Sequence, residues 1–468
     1  MTIEPATIEH EFDTIDFGHK SRNDRSKELL QALFANPQAS INAACDKWCA
    51  AKGAYRFLDN PKADSQEILA AHRRATIKRI KSQKVVCVAQ DTTELDFNGH
   101  APDDVKCLNM ADRRGLYDHS SVAFTPEKLC LGVLDVEFFD RSEDSLGKGS
   151  QRKSDPIEEK ESFRWLQGYR RCCELASQCP ETQVVSLADR EGDIYDIFVE
   201  AEQHDNPADF VIRSKQVRCL PEKDDEAGGD SYKKIRSEVA KTDLVTTRQV
   251  ELPATAQRAA RMATLEIRAI RTKIKPPHAR RSAIPEVTLS VVLVQEVDGP
   301  QDGTDLNWLL LSSLPIDDYR DVLRIVDYYV ARWPVEMFFR VLKSGCRVED
   351  IQLKTKARLI RALMFYKVVA WRIMFITFLG RECPELPCDV VFSDAEWKSV
   401  WKVAKESEPP KSAPELSQFI PVLAQLGGYN GRKHDGPPGM ETIWRGTRRM
   451  MDFALAWQAF GPPKSSVH

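Results

Sequence analysis

The sequence predicts an α/β protein, a sheet-based core set between two helical segments. Three observations carry this. Between about residues 85 and 345, short apolar runs rich in β-branched residues alternate with helical stretches. Two of those runs end at an aspartate, the position where α/β folds place their sites. Residues 20–82, and the chain beyond about 350, read as helical.

Taken in order, residues 20–82 carry turn punctuation at Asn36-Pro37 and Asn60-Pro61, and Ser40 reads as a cap before a helix from Ala43 to Ala51. Val85 to Gln90 is a buried strand ending at Asp91-Thr92-Thr93. Strands follow at Ser120 to Phe124 and Leu129 to Phe139, then a polar loop from Arg141 to Pro156 and a helix from Glu158 to Cys179. Val184 to Ala188 is a second buried strand, ending at Asp189-Arg190-Glu191. Ile194 to Ala201 reads as a helix and Phe210 to Ser214 as a strand. Residues 216–305 interrupt the alternation with β-rich sequence, notably Thr264 to Thr272 and Val287 to Val297. Trp308 to Ser312 returns to the core, and Asp317 to Gly345 is helical.

At 468 residues the chain has room for two or three domains. No apolar run reaches membrane-spanning length and the N-terminus lacks a signal-peptide pattern, so a cytoplasmic protein with no membrane partner is expected. The twelve cysteines show no disulfide or zinc spacing and read as reduced thiols. The formal net charge of -3 hides a strong asymmetry. Residues 1–16 hold five acids and no Lys or Arg. Residues 17–84 hold fourteen Lys/Arg against six Asp/Glu, and residues 257–281 hold eight basic residues and one acid. Such patches bind phosphates or are simply solvated faces.

Read as one helix, Tyr329, Arg332, Glu336, Arg340 and Lys343 form a polar stripe through an apolar segment, with spacings that keep them on one face. One carboxylate among cations suits a metal ion beside a phosphate backbone. Pro334 leaves a second geometry open, a new helix starting there with Glu336 in its first turn. Asp91 and Asp189 supply two further hard carboxylates, a set suited to Mg²⁺ or Mn²⁺. Each also has a plain reading as a turn cap.

Tyr329-x2-Arg332-x3-Glu336-x6-Lys343 matches the YREK signature of the DDE transposases encoded by bacterial insertion sequences, and the chain resembles that family from about 17 to 455. Matching passages include Gly53-Ala54-Tyr55-Arg56-Phe57, Asp91-Thr92-Thr93, Glu161-Ser162-x-Arg164-Trp165, Asp189-Arg190-Glu191-x-Asp193-Ile194, Phe210 to Lys215 and Trp308 to Leu311. The resemblance implies a helical DNA-binding domain at 1–80, an RNase H-like catalytic core at 81–350 with its β-rich insertion at about 216–305, and a helical dimerisation domain at 351–468. It implies cut-and-paste transposition through a hairpin intermediate. Asp91, Asp189 and Glu336 take the metal-holding catalytic roles, with Mg²⁺ as cofactor and Mn²⁺ substituting. Tyr329, Arg332 and Lys343, with Arg340 on the same stripe, hold DNA. Trp308 matches a tryptophan that stacks on a flipped base, though it reads equally as a core residue opening a strand. Arg25 and Arg56 match contacts to end DNA, and Arg213 falls in a matching strand. The implied partners are transposon-end DNA, target DNA and a second copy of the chain, in the nucleoid of a bacterial cytoplasm. Two departures stand out: the N-terminal arm is short and acidic, and Pro334 stands where the family has an arginine. A catalytically idle transposition inhibitor and a host RNase H-like nuclease remain alternatives from other functional classes.

Overall fold

The computed structural model describes residues 8–45, 47–143, 156–205, 207–224, 231–252, 259–280, 283–300, 304–432 and 434–461. Its elements run in the order α1 (Lys20–Ala35), α2 (Ile41–Ala44), α3 (Trp48–Asp59), α4 (Ser65–Lys81), β1 (Val85–Asp96), β2 (Gly115–Phe124), β3 (Cys130–Phe139), α5 (Phe163–Gln178), β4 (Gln183–Ala188), α6 (Tyr195–Gln203), β5 (Asp209–Arg213), β6 (Cys219–Lys223), β7 (Tyr232–Lys234), α7 (Ile235–Ala240), β8 (Leu244–Leu252), β9 (Arg261–Ile274), β10 (Val287–Val297), β11 (Asn307–Ser312), α8 (Tyr319–Val330), α9 (Pro334–Arg340), α10 (Lys356–Glu382), α11 (Asp394–Lys405), α12 (Leu416–Leu426) and α13 (Met440–Phe460). The chain divides into two compact units. One comprises Met1–Gln83, Thr92–Leu146 and Pro334–His468, the other Lys84–Asp91 and Gly147–Trp333.

In the first unit the strand order is β3-β2-β1, using the latter part of β1. The helices gather around α10. Its sequence is apolar on every side, and such a helix belongs in a core. By length and composition α10 could cross a membrane, contrary to the expectation that no run is long enough, but its apolar window is wholly buried. Phe12 and Phe57 both meet Phe365 edge-on. Ser40 is the helix cap that the sequence predicts, accepting from the Ala43 N–H at 3.2 Å. The helix it starts is short, however, and α3 begins afresh at Trp48. Gly132 lies in the left-handed half of φ space at 153°, and a Cβ there would fall 2.0 Å from Thr76 Oγ1. Only glycine lets α4 pass so close to β3.

The acidic N-terminal arm is a packing segment. Ile8, Phe12, Ile15 and Phe17 are buried, and so is Glu11. Glu11 accepts from Arg79 Nη1 at 2.6 Å and meets His72 Nδ1 at 2.6 Å. The Val133 N–H donates to His72 Nε2, so the ring is neutral with its proton on Nδ1 facing Glu11. Arg79 also lies 4.2 Å over the Trp371 ring. Burial pushes the Glu11 carboxyl up, but Arg79 and His72 together outweigh it and hold the pKa at about 2. Burial depresses His72, more strongly than Glu11 raises it.

In the second unit the order is β1-β4-β5-β11-β10-β9-β8. β1, β4 and β5 run parallel, joined through α5 and α6, and read as the near-continuous apolar runs of strands covered on both faces. β5, β11, β10, β9 and β8 pair antiparallel, so the β-rich insertion extends this same sheet. Val185, Val211, Val292 and Leu310 pack with Ile325 and Val326 of α8 in one core.

β1 does not end at Asp91. Burial relaxes there while the strand runs on to Asp96, because Thr92 and Thr93 are themselves good strand formers. The polar stripe does not lie on one helix either. α8 stops at Val330 and α9 starts at Pro334, where the missing N–H costs nothing. Most of the loop predicted from Arg141 to Pro156 lies outside the described residues. None of the twelve cysteines forms a disulfide.

Candidate active site and nucleic-acid interface

The carboxylates of the second unit are placed by strand register. β1 and β4 pair Val88 with Ser186 and Ala89 with Leu187. Carried two residues on, that register sets Asp91 against Asp189. β4 and β5 pair Ala188 with Ile212, and one residue on, Asp189 meets Arg213. In-register side chains of parallel neighbours share a face, about 4.8 Å apart from strand to strand. Asp91 on β1, Asp189 just past the end of β4 and Arg213 at the end of β5 therefore fall in one row.

The end of α8 and the bend after it supply the rest. Arg332 Nη1 lies 3.2 Å from Asp91 Oδ2, with the arginine side chain nearly buried. Burial raises the Tyr329 phenol. Arg332 and Arg213 oppose that shift, Arg213 also through a hydrogen bond, and Asp189 adds to it. Trp308, partly buried beside the core, meets Tyr329 edge-to-face at 5.3 Å. Six residues singled out in the sequence thus come together: Asp91, Asp189, Arg213, Trp308, Tyr329 and Arg332. Asp189 is also a turn cap, as its plain reading required, with Oδ1 accepting from the Glu191 N–H at 2.8 Å. Its second oxygen leaves room for another role. Among the described residues, no group of three or more His, Cys, Asp or Glu is drawn together as a metal centre. What this unit offers is an oxygen-only pair of hard donors.

Two features of this unit escaped the sequence. Asp193 is a buried hub. It accepts from the backbone N–H groups of Lys215 and Gln216, both at 2.7 Å, and pairs with buried Arg218. It thereby ties the Asp189-Arg190-Glu191 turn to the loop after β5. Beside it opens a groove of about 440 Å³ whose lining includes Arg190, Lys215, Lys234 and Arg236 and no acidic residue. Among the described residues these four have no carboxylate partner. Burial lowers the Arg236 pKa, and the charges of Arg190 and Arg213 lower it further. The signal lay in cations scattered over three separate segments, which no single window of sequence collects.

Four of the six described Lys/Arg residues in the basic stretch 257–281 pair with acids. Arg261 bonds Glu296 at 2.8 Å, Arg268 meets Glu266 at 3.2 Å, Lys275 reaches Glu286 at 3.6 Å and Arg280 bonds Asp196 at 2.7 Å. Arg258 and Arg281 lie outside the described residues.

In the first unit, Glu336 stands in the first turn of α9, and both Glu336 and Arg340 are exposed. The helix widens into a π turn over Val341–Gly345 that carries Lys343. Lys343 Nζ lies 3.8 Å from Glu349 Oε1, which also accepts from the Asp96 N–H at 3.0 Å. Arg25 and Arg56 sit on α1 and α3. A Cβ on Gly53 would fall 2.7 Å from Arg25 Cζ, so the glycine of the Gly53-Ala54-Tyr55-Arg56-Phe57 passage makes room for that guanidinium. Arg25 also pairs with Glu28 at 2.6 Å. Arg56 lies exposed in the last turn of α3.

Both ends of the chain match known families. Residues 5–63 match a transposase DNA-binding family, and residues 368–458 match the Tn5 transposase dimerisation domain. Both matches are to transposase domains, and together they span less than half of the chain. A solved structure of a piggyBac transposase synaptic complex with hairpin DNA aligns with 98% of this chain and 79% of that chain, at 9% identity and a TM-score of 0.36. A likeness that weak carries no argument.

Proposed function

We propose that this chain is a cut-and-paste DNA transposase of the DDE type, cleaving transposon ends through a hairpin intermediate and joining them to target DNA. The observation that carries the reading is the row of Asp91, Asp189 and Arg213 with Arg332 and Tyr329 closing on it. The strand orders 3-2-1 and 1-4-5, with helices α5 and α6 between the parallel strands, support an RNase H-like core. The two terminal family matches support DNA binding at one end and self-association at the other.

The oxygen-only donor pair fits a hard divalent cation such as Mg²⁺, with Mn²⁺ substituting. Asp91, Asp189 and, by resemblance, Glu336 are the residues assigned to hold it. When bound, such a cation polarises the scissile phosphate and lowers the pKa of an attacking water. The chain's own side chains do the remaining work. Arg332 pairs with Asp91 and orients it. Arg213 and Tyr329 present a guanidinium and a phenol where phosphate oxygens gain charge. Arg190, Lys215, Lys234 and Arg236 hold adjoining backbone phosphates. Lys343 and Arg340 are assigned to the DNA backbone, and Arg25 and Arg56 to end DNA. Water first breaks a phosphodiester and frees a 3′-hydroxyl. That hydroxyl attacks the opposite strand to give a hairpin, a second water opens it, and the 3′-ends join target DNA. Trp308 receives a base extruded at the hairpin. The chain works in the cytoplasm, on the nucleoid.

The test is a time course on duplex DNA carrying the element's terminal repeats, with Mg²⁺, resolving nicked, hairpin and cleaved products. Asp91→Ala, Asp189→Ala and Glu336→Ala should each bind end DNA normally and yield none of the three. Near-normal cleavage by any one of them removes that residue from the triad.

A further inference from the structure

α10 is buried without a break from Ala362 to Leu379, and Lys367 stands within that stretch with no exposed surface. Sealing an ion pair away from water is costly, and an apolar pair of similar volume is often as stable. Such a pair calls for another reason to exist. The ammonium has three protons to place. One goes to Asp118 and one to the Ser120 hydroxyl at 2.8 Å, while Ser120 in turn donates to the other Asp118 oxygen at 2.7 Å. Among the described residues no third oxygen bonds the ammonium. That side of the ammonium faces the rings of Phe339 at 5.1 Å, Phe338 at 5.2 Å and Phe138 at 5.9 Å, a cation–π distance in each case.

Phe338 and Phe339 belong to α9, two and three residues beyond Glu336. α9 has seven residues, begins at a proline and ends in a π turn. A helix so short has no stability of its own, and packing must set its orientation. We propose that Lys367 is a positioning residue for Glu336. Locked to Asp118 and Ser120, its charge grips the buried face of α9 through Phe338 and Phe339, so that Glu336 and Arg340 stay on the exposed face. The inference rests on the role given to Glu336 above. It adds a buried cation, far along the sequence, that holds the carboxylate's helix in place.

Two full-length variants test it. Lys367→Met/Asp118→Asn removes both charges together and leaves Ser120 a partner. Phe338→Leu/Phe339→Leu keeps the ion pair and removes the two rings. Amide hydrogen exchange is read over Phe338 to Cys346 and over α10, beside end-DNA affinity and cleavage rate. In both variants the amides from Phe338 to Cys346 should exchange at least tenfold faster while α10 keeps its protection. Cleavage should slow at least tenfold with affinity held within twofold. Wild-type exchange and cleavage in either folded variant overturns the proposal. So does a loss of α10 protection or of affinity in step with cleavage, which marks a merely structural role. Should one variant fail to fold, the other decides. Should the wild-type chain cleave nothing, the exchange result still decides this proposal, and the functional reading is what fails.

Discussion

The first unit seals two clusters of charge from water, whereas the second lines a groove with cations. Glu11, His72 and Arg79 are buried and matched to one another, and Lys367, Asp118 and Ser120 form a second buried cluster. In the second unit Asp189 accepts the Glu191 N–H through one oxygen, and Arg190, Lys215, Lys234 and Arg236 stand in a groove whose lining holds no acid. A completed cluster contributes stability and specificity, and breaking it strands a buried charge. An incomplete one waits for a ligand. Removing a charge from the Glu11 cluster should therefore affect folding, and removing one at Asp189 should affect chemistry.

The sharpest separation is expected at Asp189. Asp189→Asn keeps an acceptor for the Glu191 N–H and loses only the charge. Cleavage should fall about a hundredfold or more, with unfolding free energy within about 0.5 kcal/mol of wild type. Wild-type cleavage would leave Asp189 as a turn cap and nothing else. The mirror experiment is Glu11→Gln, which leaves Arg79 buried without its counter-charge. Denaturant unfolding should show a loss of about 3–5 kcal/mol, with end-DNA cleavage per folded molecule unchanged. A small change in stability would blur the contrast between the units.

Acid probes the same cluster. Folding depresses both Glu11 and His72, so the unfolded chain binds protons more readily. Their contribution is complete above pH 6.5. It should fall first as pH drops through the His72 range, and again from about 4.5 toward 2 as the unfolded chain protonates Glu11. Melting temperature against pH, compared with Glu11→Gln, isolates the Glu11 share, and a flat profile in wild type would contradict it. The smallest effect separates open cations from paired ones. Lys215→Ala/Arg236→Ala should reduce the salt dependence of DNA binding by about two phosphate contacts, whereas Arg268→Ala, within the paired stretch, should leave it unchanged. Equal slopes would mean that the groove carries no DNA.

Much of this was legible in the residues. Apolar β-branched runs located β4, β5, β10 and β11, because strands covered on both faces have few other ways to be written. Pro334 marked the start of α9 but could not decide against a continuous helix, since kinked helices tolerate proline. Asp91 and Asp189 were found at the edges of apolar runs, while their shared row needed the register of two strand pairs. Window charge misled at 257–281, where partners such as Asp196 and Glu296 lie far away in sequence. The pairing of Lys367 with Asp118, and of Glu11 with Arg79, spans too many residues for any local pattern to reveal.

α10 also imposes an order on synthesis. Emerging alone, 27 residues of such composition would be read as a membrane anchor or would aggregate. Much of what covers it is made earlier: α1, α3, α4 and β3 all precede it along the chain, and only α12 and α13 follow among its principal neighbours. The ribosome thus delivers this helix to a cradle already translated, and the apolar surface need be exposed only briefly before the last helices close over it.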